Sequence, residues 1–261
     1  MRKNGVIKLE IIQIRGIPFA TGTMEEAVSC ADSAIRAKKQ TLVFTPNAEM
    51  AEHCAEDSSF ADLIVRGELI LPDGEGILMA SRILGTPISQ KLAGVEFGEA
   101  ILSLSAGNGY RVFFLGGKPG VAELAAERMK EKYPGLTVCG TSNGYFTKNG
   151  EENDRIIEEI NNSSADILFI CLGSPAQEIW ASENRSRLTA SLLLCLGGSL
   201  DVYSGTVRRA PKFFCRMKLE WFYRLLKEPK RLPRMMKLPR YIFGTIAYKI
   251  KNRKEEKQYA R

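Results

Sequence analysis

The chain holds a single histidine and six cysteines in 261 residues, and no two cysteines form a C-x-x-C pair. His53, in the helical segment AEHCAE, has no companion ligands. Cys30, Cys54, Cys139, Cys171, Cys195 and Cys215 lie too far apart to predict a zinc site or a disulfide framework. H-E-x-x-H and D-x-D are both absent, so neither a zinc protease nor a metal-chelated sugar-nucleotide site is indicated, and no metal or cofactor is expected. The longest apolar runs, such as Leu192 to Gly198, fall well short of the roughly 18 to 20 residues that span a bilayer. Met1 to Leu9 carries basic residues but no apolar run with a cleavage site after it, which predicts a protein that stays in the cytoplasm. Repeats and low-complexity tracts are missing too.

What is present suits a folded enzyme-sized domain: 44% of residues are hydrophobic and 26% charged, enough to bury a sizeable core. The net charge of +7 is unevenly spread. From Val207 onward there are 18 basic against 4 acidic residues, a net +14, whereas the first 206 residues hold 19 against 26, a net −7. The basicity belongs to the tail, and such asymmetry points to a polyanionic partner.

Along the chain, short apolar strands alternate with helical patterns. Val6 to Ile14 reads as a strand or hairpin piece broken by Gly16-Ile17-Pro18, and Thr23-Met24-Glu25-Glu26 opens a helix to about Lys39 in capping-box form. Strands are predicted at Thr41–Thr45, Glu68–Leu71, Arg111–Leu115, Leu136–Cys139, Asp166–Leu172 and Leu192–Leu196. Between them lie helices over 48–65, from Gly74 to about Leu84, from Gly120 to about Tyr133, over 151–161 and over 175–188. This alternation predicts an α/β fold, a Rossmann-like and mainly parallel sheet with helices on both faces, spanning residues 1–206. Residues 207–261 read as a basic amphipathic helical appendage. In it Phe213, Phe214, Met217, Trp221, Phe222, Leu225 and Leu226 recur at helical steps, and a second stretch from Leu232 to Ile250 is broken by Pro233 and Pro239.

Ligands of parallel sheets bind beyond the carboxyl ends of the strands, so the residues that follow each strand are the candidates. These are Thr45-Pro46-Asn47-Ala48-Glu49, Pro72-Asp73-Gly74-Glu75-Gly76, Gly116-Gly117-Lys118-Pro119-Gly120, Gly140 through Phe146, and Gly173-Ser174-Pro175-Ala176-Gln177-Glu178. Glycine turns at helix starts offer free N–H groups to an anion such as a diphosphate. The first glycine segment completes neither a P-loop nor a dinucleotide fingerprint, which disfavours an ATPase and a nicotinamide oxidoreductase. Asp73 stands at a strand end where a carboxylate can act as a base, although an aspartate before a glycine at a helix start also serves as an N-cap. Thr45 offers a hydroxyl at the same edge.

Together these segments resemble the WecG/TagA/CpsF glycosyltransferase family, most closely its TagA branch. The matching text is TPNAEM, LPDGEGILMASRILG, LAGVEF, VFFLGGKPGVAELAAERMKEKYPGL, GTSNGYF, ADILFICLGSPAQEIW, GGSLDVYSGTVRRAPKF and LEWFYRLLKEPKRLPR, over roughly residues 10 to 240. The resemblance implies a metal-independent, inverting transfer of N-acetylmannosamine from its UDP donor. The acceptor it implies is the C4 hydroxyl of N-acetylglucosamine on undecaprenyl diphosphate, in wall teichoic acid linkage-unit synthesis. It leaves open another UDP-sugar, such as the uronic acid of N-acetylmannosamine, for a different surface polysaccharide. By position, Asp73 resembles the general base, and Thr45 and Asn47 its neighbours in the pocket. Gln177, Gly116, Gly117 and the Asn143-Gly144-Tyr145 turn correspond to donor contacts. Gly94 matches the family's segment there, preceded by Lys91 where many members carry arginine; lysine keeps the charge without the bidentate fork. In the tail Arg208, Arg209, Arg224, Arg231 and Arg234 match family positions and are implied to reach the leaving diphosphate.

A basic helix with an aromatic apolar face is the form expected of a segment lying in an anionic bilayer interface, which predicts a peripheral enzyme on the inner face of the plasma membrane, where a lipid-linked acceptor resides. A nucleic-acid-binding protein would use the same charge, but the tail has no helix-turn-helix spacing, RNP-type segment or zinc ligands, so no nucleic-acid partner is expected. A homo-oligomer stays open.

Overall fold

In the computed structural model the described residues are 9–207, 232 and 236–259, with side chains described to 253. The chain opens with a hairpin, β1 (Glu10–Ile14) and β2 (Ile17–Thr21), paired antiparallel. Its two-residue turn is Arg15-Gly16, both at positive φ (49° and 85°), the geometry that suits the twist of a tight hairpin. Ile17 and Pro18 thus begin a strand instead of breaking one. Pro18 lies opposite Gln13, one step beyond the Ile14–Ile17 pair that closes the turn, where its missing N–H faces away from the partner strand.

Helix α1 (Met24–Arg36) starts at the predicted capping box: Thr23 Oγ1 accepts from Glu26 N–H and Glu26 accepts from Thr23 N–H. The remaining strands are β3 (Thr41–Phe44), β4 (Leu69–Ile70), β5 (Arg111–Gly116), β6 (Thr137–Ser142), β7 (Ile167–Cys171) and β8 (Leu192–Cys195). They form one all-parallel sheet in the order β4-β3-β8-β7-β5-β6. The helices between them are α2 (Ala48–Glu56), α3 (Ser58–Val65), α4 (Glu75–Leu84), α5 (Gly94–Asn108), α6 (Val121–Lys132), α7 (Gly150–Asn162), α8 (Ala176–Asn184) and α9 (Ser199–Tyr203). The helical pattern over 48–65 is two helices, because Asp57 closes the first and caps the second, its Oδ1 accepting from Ser59 and Phe60 N–H.

The strands alternate their side chains between two cores. Phe113, Leu115, Leu168, Ile170, Leu193 and Cys195 face one, with residues of α2, α3, α4, α7 and α8. Val112, Phe114, Ile167, Phe169, Leu192 and Leu194 face the other, with α1, α5, α6 and α9. A strand buried on both faces reads as a continuous apolar run, which is why these segments were legible.

Helix α5 was not expected. Its glycines weaken the helical signal, yet a Cβ on Gly98 would meet Tyr203 Oη at 2.5 Å and Leu196 at 2.6 Å. The sequence gives up propensity there so that α5 can lie close against β8 and α9. Beyond Val207, helix α10 (Lys237–Tyr259) packs on α2 and α4 and sends Tyr241, fully buried, into the first core. Pro239 falls in its first turn, where no intrahelical donor is needed, so it does not break the helix.

Candidate active site

Three loops meet at the carboxyl ends of β3 and β4. Leu71 N–H reaches Phe44 O, Asp73 N–H reaches Pro46 O at 3.2 Å, and Leu92 N–H reaches Pro72 O at 2.8 Å. These bonds bring Thr45, Asn47, Asp73 and the start of α5 to one edge. Asp73 does not cap the helix that follows it. The N-cap of α4 is Gly74, at φ 83° and without a side-chain bond, and the half-buried Asp73 carboxylate instead takes Gly94 N–H at 3.5 Å. Asp73 thus sits at the amino end of α5, whose own N-cap, Ala93, offers no side-chain acceptor. The helix dipole favours negative charge at that point.

Thr45 is buried, with Oγ1 facing Cys195 O at 3.5 Å, and a Cβ on Gly94 would come within 2.8 Å of that oxygen. Gly94 is therefore a spacing residue: only glycine lets the α5 terminus approach Thr45 and Asp73 together. Asn47 is exposed and caps α2, its Oδ1 accepting from Met50 N–H at 3.0 Å. Lys91, half-buried, lies just before Leu92 in the same loop.

The second cluster lies between β5 and β7. The chain leaves β5 toward one sheet edge and β7 toward the other, so a crevice opens at this switch point. Gly116, at φ 139°, passes so close to Cys171 O that a Cβ would stand 2.2 Å from it. Gly117 N–H bonds Cys171 O at 3.3 Å and Gly144 N–H bonds Gly117 O at 2.9 Å, which stacks the two glycine turns. Asn143 Oδ1 accepts from Tyr145 N–H, leaving the Tyr145 ring 69% exposed at the rim. Sequence reasoning missed Lys148, which holds this loop: Nζ donates to Gly144 O at 2.7 Å and Phe146 O at 3.0 Å and stands over the Phe146 ring. Burial pulls its ammonium down to about 8, against the opposing pull of Glu152. A lysine four residues past the glycine turn was the available signal.

The end of β8 joins the clusters. Gln177 is buried, and its amide is engaged at both ends, Nε2 donating to Glu178 Oε1 at 2.6 Å and Oε1 accepting from Gly197 N–H at 2.9 Å. It holds the turn after β8. Arg208, Arg209, Arg224, Arg231 and Arg234, with Trp221 and its neighbours, lie outside the described residues. Among the described residues no three His, Cys, Asp or Glu side chains gather to hold a metal ion, and no helix is long and apolar enough to cross a membrane.

A carboxylate-bearing edge beside a glycine-lined crevice is an arrangement suited to group transfer from a diphosphate donor. The family described as glycosyl transferase WecG/TagA/CpsF matches residues 12–255. The chain belongs to this family. Relatives named N-acetylglucosaminyldiphosphoundecaprenol N-acetyl-beta-D-mannosaminyltransferase include one from Bacillus spizizenii, 34% identical over 80% of both chains. One from Bacillus subtilis is 30% identical over 92% of this chain and 93% of its own, and one from Staphylococcus aureus is 27% identical over 93% and 95%. The chain is thus a glycosyltransferase with a Rossmann-like α/β core.

Proposed function

We propose that this glycosyltransferase moves N-acetylmannosamine from a UDP-linked donor to the C4 hydroxyl of N-acetylglucosamine on undecaprenyl diphosphate, the acceptor class in its relatives' names. The observation that carries the reading is the convergence of Asp73, Thr45 and the α5 terminus at one strand edge. Asp73 takes the proton of the acceptor hydroxyl as that oxygen bonds the anomeric carbon. The bond from that carbon to the UDP phosphate oxygen breaks in the same displacement, which inverts the configuration. Thr45 orients the reacting groups. The glycine turns at Gly116, Gly117 and Gly144 let the donor come close to a backbone without side chains, and Tyr145 offers a ring at its rim. The tail arginines and Lys91 receive the charge that grows on the leaving diphosphate, so protein donors serve where other enzymes use a metal. The product is the disaccharide lipid of wall teichoic acid linkage-unit synthesis, made by a peripheral enzyme on an anionic inner leaflet.

The test is incubation with a short-chain lipid-linked N-acetylglucosamine and a panel of UDP-sugars, including the uronic acid, read by mass spectrometry. The expected outcome is a disaccharide product from UDP-N-acetylmannosamine alone. D73N is expected to lower turnover by roughly 10² to 10⁴ while UDP binding stays near wild type. Turnover above a third of the wild-type rate would leave Asp73 only a structural role at α5.

A further inference from the structure

Glu178 is the most buried carboxyl beside the site, 0% exposed, in the third position of α8. Among the described residues only one of its oxygens is engaged: Oε1 accepts from Gln177, while Oε2 is buried without a hydrogen-bond partner. The groups facing it are the Gln177 amide and the Ser174 hydroxyl of its own segment, the Cys54 thiol of α2 and the Cys195 thiol of β8. None is a cation. A buried carboxylate without a counter-charge and with one bare oxygen is far costlier than a buried neutral acid.

We propose that Glu178 is a positioning residue of the donor pocket, holding the Gln177 amide in the one orientation that ties the Gly197 turn to α8. A neutral carboxyl presents its carbonyl oxygen to Gln177 Nε2, which turns Gln177 Oε1 toward Gly197 N–H. Flipping the amide would set two oxygens against each other at Glu178 and an NH₂ against the Gly197 N–H. The orientation matters because Gly197 follows Leu196, whose side chain packs against Gly94 and Gly98, and Cys195, whose carbonyl faces Thr45 Oγ1. The Gln177 carbonyl is also reached by Cys195 Sγ at 3.6 Å. One carboxyl therefore fixes the strand end that stands between the base edge and the glycine crevice. Burial pushes the Glu178 carboxyl up, and the hydrogen bonds from Gln177, its own N–H and Ser174 pull the other way. The amino end of α8 would favour an anion, and burial is the larger effect.

The inference rests on the reading of the crevice as a nucleoside diphosphate site, and calorimetric titration of the full chain with UDP separates the two. Wild type that fails to bind UDP overturns both. With wild type binding, E178M, which removes the acceptor at similar volume, is expected to weaken UDP by about tenfold. E178Q, which keeps an acceptor oxygen and carries no charge, is expected to stay within about twofold of wild type. E178M should add nothing on a Q177M background, because the two side chains act as one unit. E178D, which draws the carboxyl back by one methylene, carries the test if E178M does not fold, and is expected to weaken UDP in the same direction. Unchanged UDP affinity in a folded E178M or E178D overturns the proposal, as does a tenfold loss in E178Q, which would mean that the charge is needed. Additive losses in the double variant overturn it as well.

Discussion

At the scale of the residue, the candidate site is built from side chains whose roles are set by what their neighbours leave unmade. Ala93 has no side-chain acceptor for the start of α5, and Asp73 supplies one from another loop. Gly144 and Phe146 turn their carbonyls inward, and Lys148 satisfies both. The Lys148 ammonium, drawn from a usual 10.5 to about 8 by burial, gives a pH test. Below about 8 the charged group makes two charge-assisted bonds to the loop, and above it those bonds weaken. UDP affinity is therefore expected to fall severalfold between pH 7 and 9, and to be weaker but flat in K148M, by calorimetry. Stability moves the other way. The unfolded chain binds this proton more tightly than the folded one, so between pH 8 and 10.5 Lys148 contributes increasing stability as pH rises. A fall in affinity that persists in K148M assigns it to another group. Asp73, Thr45 and the glycine turns were legible because strand ends are where a parallel sheet exposes chemistry. Lys148 was not, and Glu178 showed only as one member of a strand-end segment, since the surroundings of both come from partners that only folding brings near.

At the scale of the element, propensity and tertiary contact compete, and the two cases in which they disagree are informative. The capping box of α1 and the caps at Asn47 and Asp57 are local, so sequence alone places those starts. Helix α5 depends on Gly94 and Gly98 fitting against Thr45, Leu196 and Tyr203, contacts distant in sequence, so its pattern was illegible. Helix α10 is held by long-range contacts too. Leu238 fills the space beside Gly76 and Ala48, and Tyr241 enters the core beneath Arg15, whose guanidinium lies 5.1 Å from its ring centroid. The buried Glu52 carboxylate takes Arg15 at 3.0 Å and Arg240 at 3.1 Å, so one acid ties the β1–β2 turn to α10. E52Q leaves Arg15 without its carboxylate and is expected to cost roughly 2 kcal/mol, mostly from the Arg15 side because Arg240 is well exposed. The Tyr241 hydroxyl is buried without a hydrogen-bond partner among the described residues, and burial pushes it up. Y241F removes an unpaired polar group and is expected to gain about 1 kcal/mol, a rise of about 2 to 4 °C in melting temperature. A lower melting temperature would mean that an internal water satisfies the hydroxyl.

At the scale of the whole molecule, net charge is sharply divided, −7 before Val207 and +14 from it onward. Within the basic part, helix α10 carries two apolar faces. Leu238, Tyr241, Ile242 and Thr245 turn inward, while Met236, Phe243, Ile246 and Ile250 are all at least 40% exposed and recur at steps of seven, three and four along the opposite side. Exposed Arg240, Lys251 and Arg253 accompany that outer stripe. A helix already docked through one face has no folding reason to keep four large apolar groups in water on the other, and a basic rim around them suits an anionic leaflet. Cutting the chain after Thr206 would remove the core-packing side chains together with the tail, so a loss of activity in that truncation would confound folding with membrane contact. Replacing only the outer stripe separates them. F243Q/I246Q/I250Q in the full-length chain is expected to melt within about 1 °C of wild type, since surface changes cost little. It should float poorly with anionic liposomes, because the buried apolar area that anchors an interfacial helix is gone while the charges, each worth about 1 kcal/mol, remain. On a water-soluble acceptor the variant should keep its turnover, and on acceptor held in vesicles it should lose most of it. Undiminished flotation would place membrane contact elsewhere in the tail, and equal losses on both acceptors would make the outer stripe part of the catalytic site instead of its anchor.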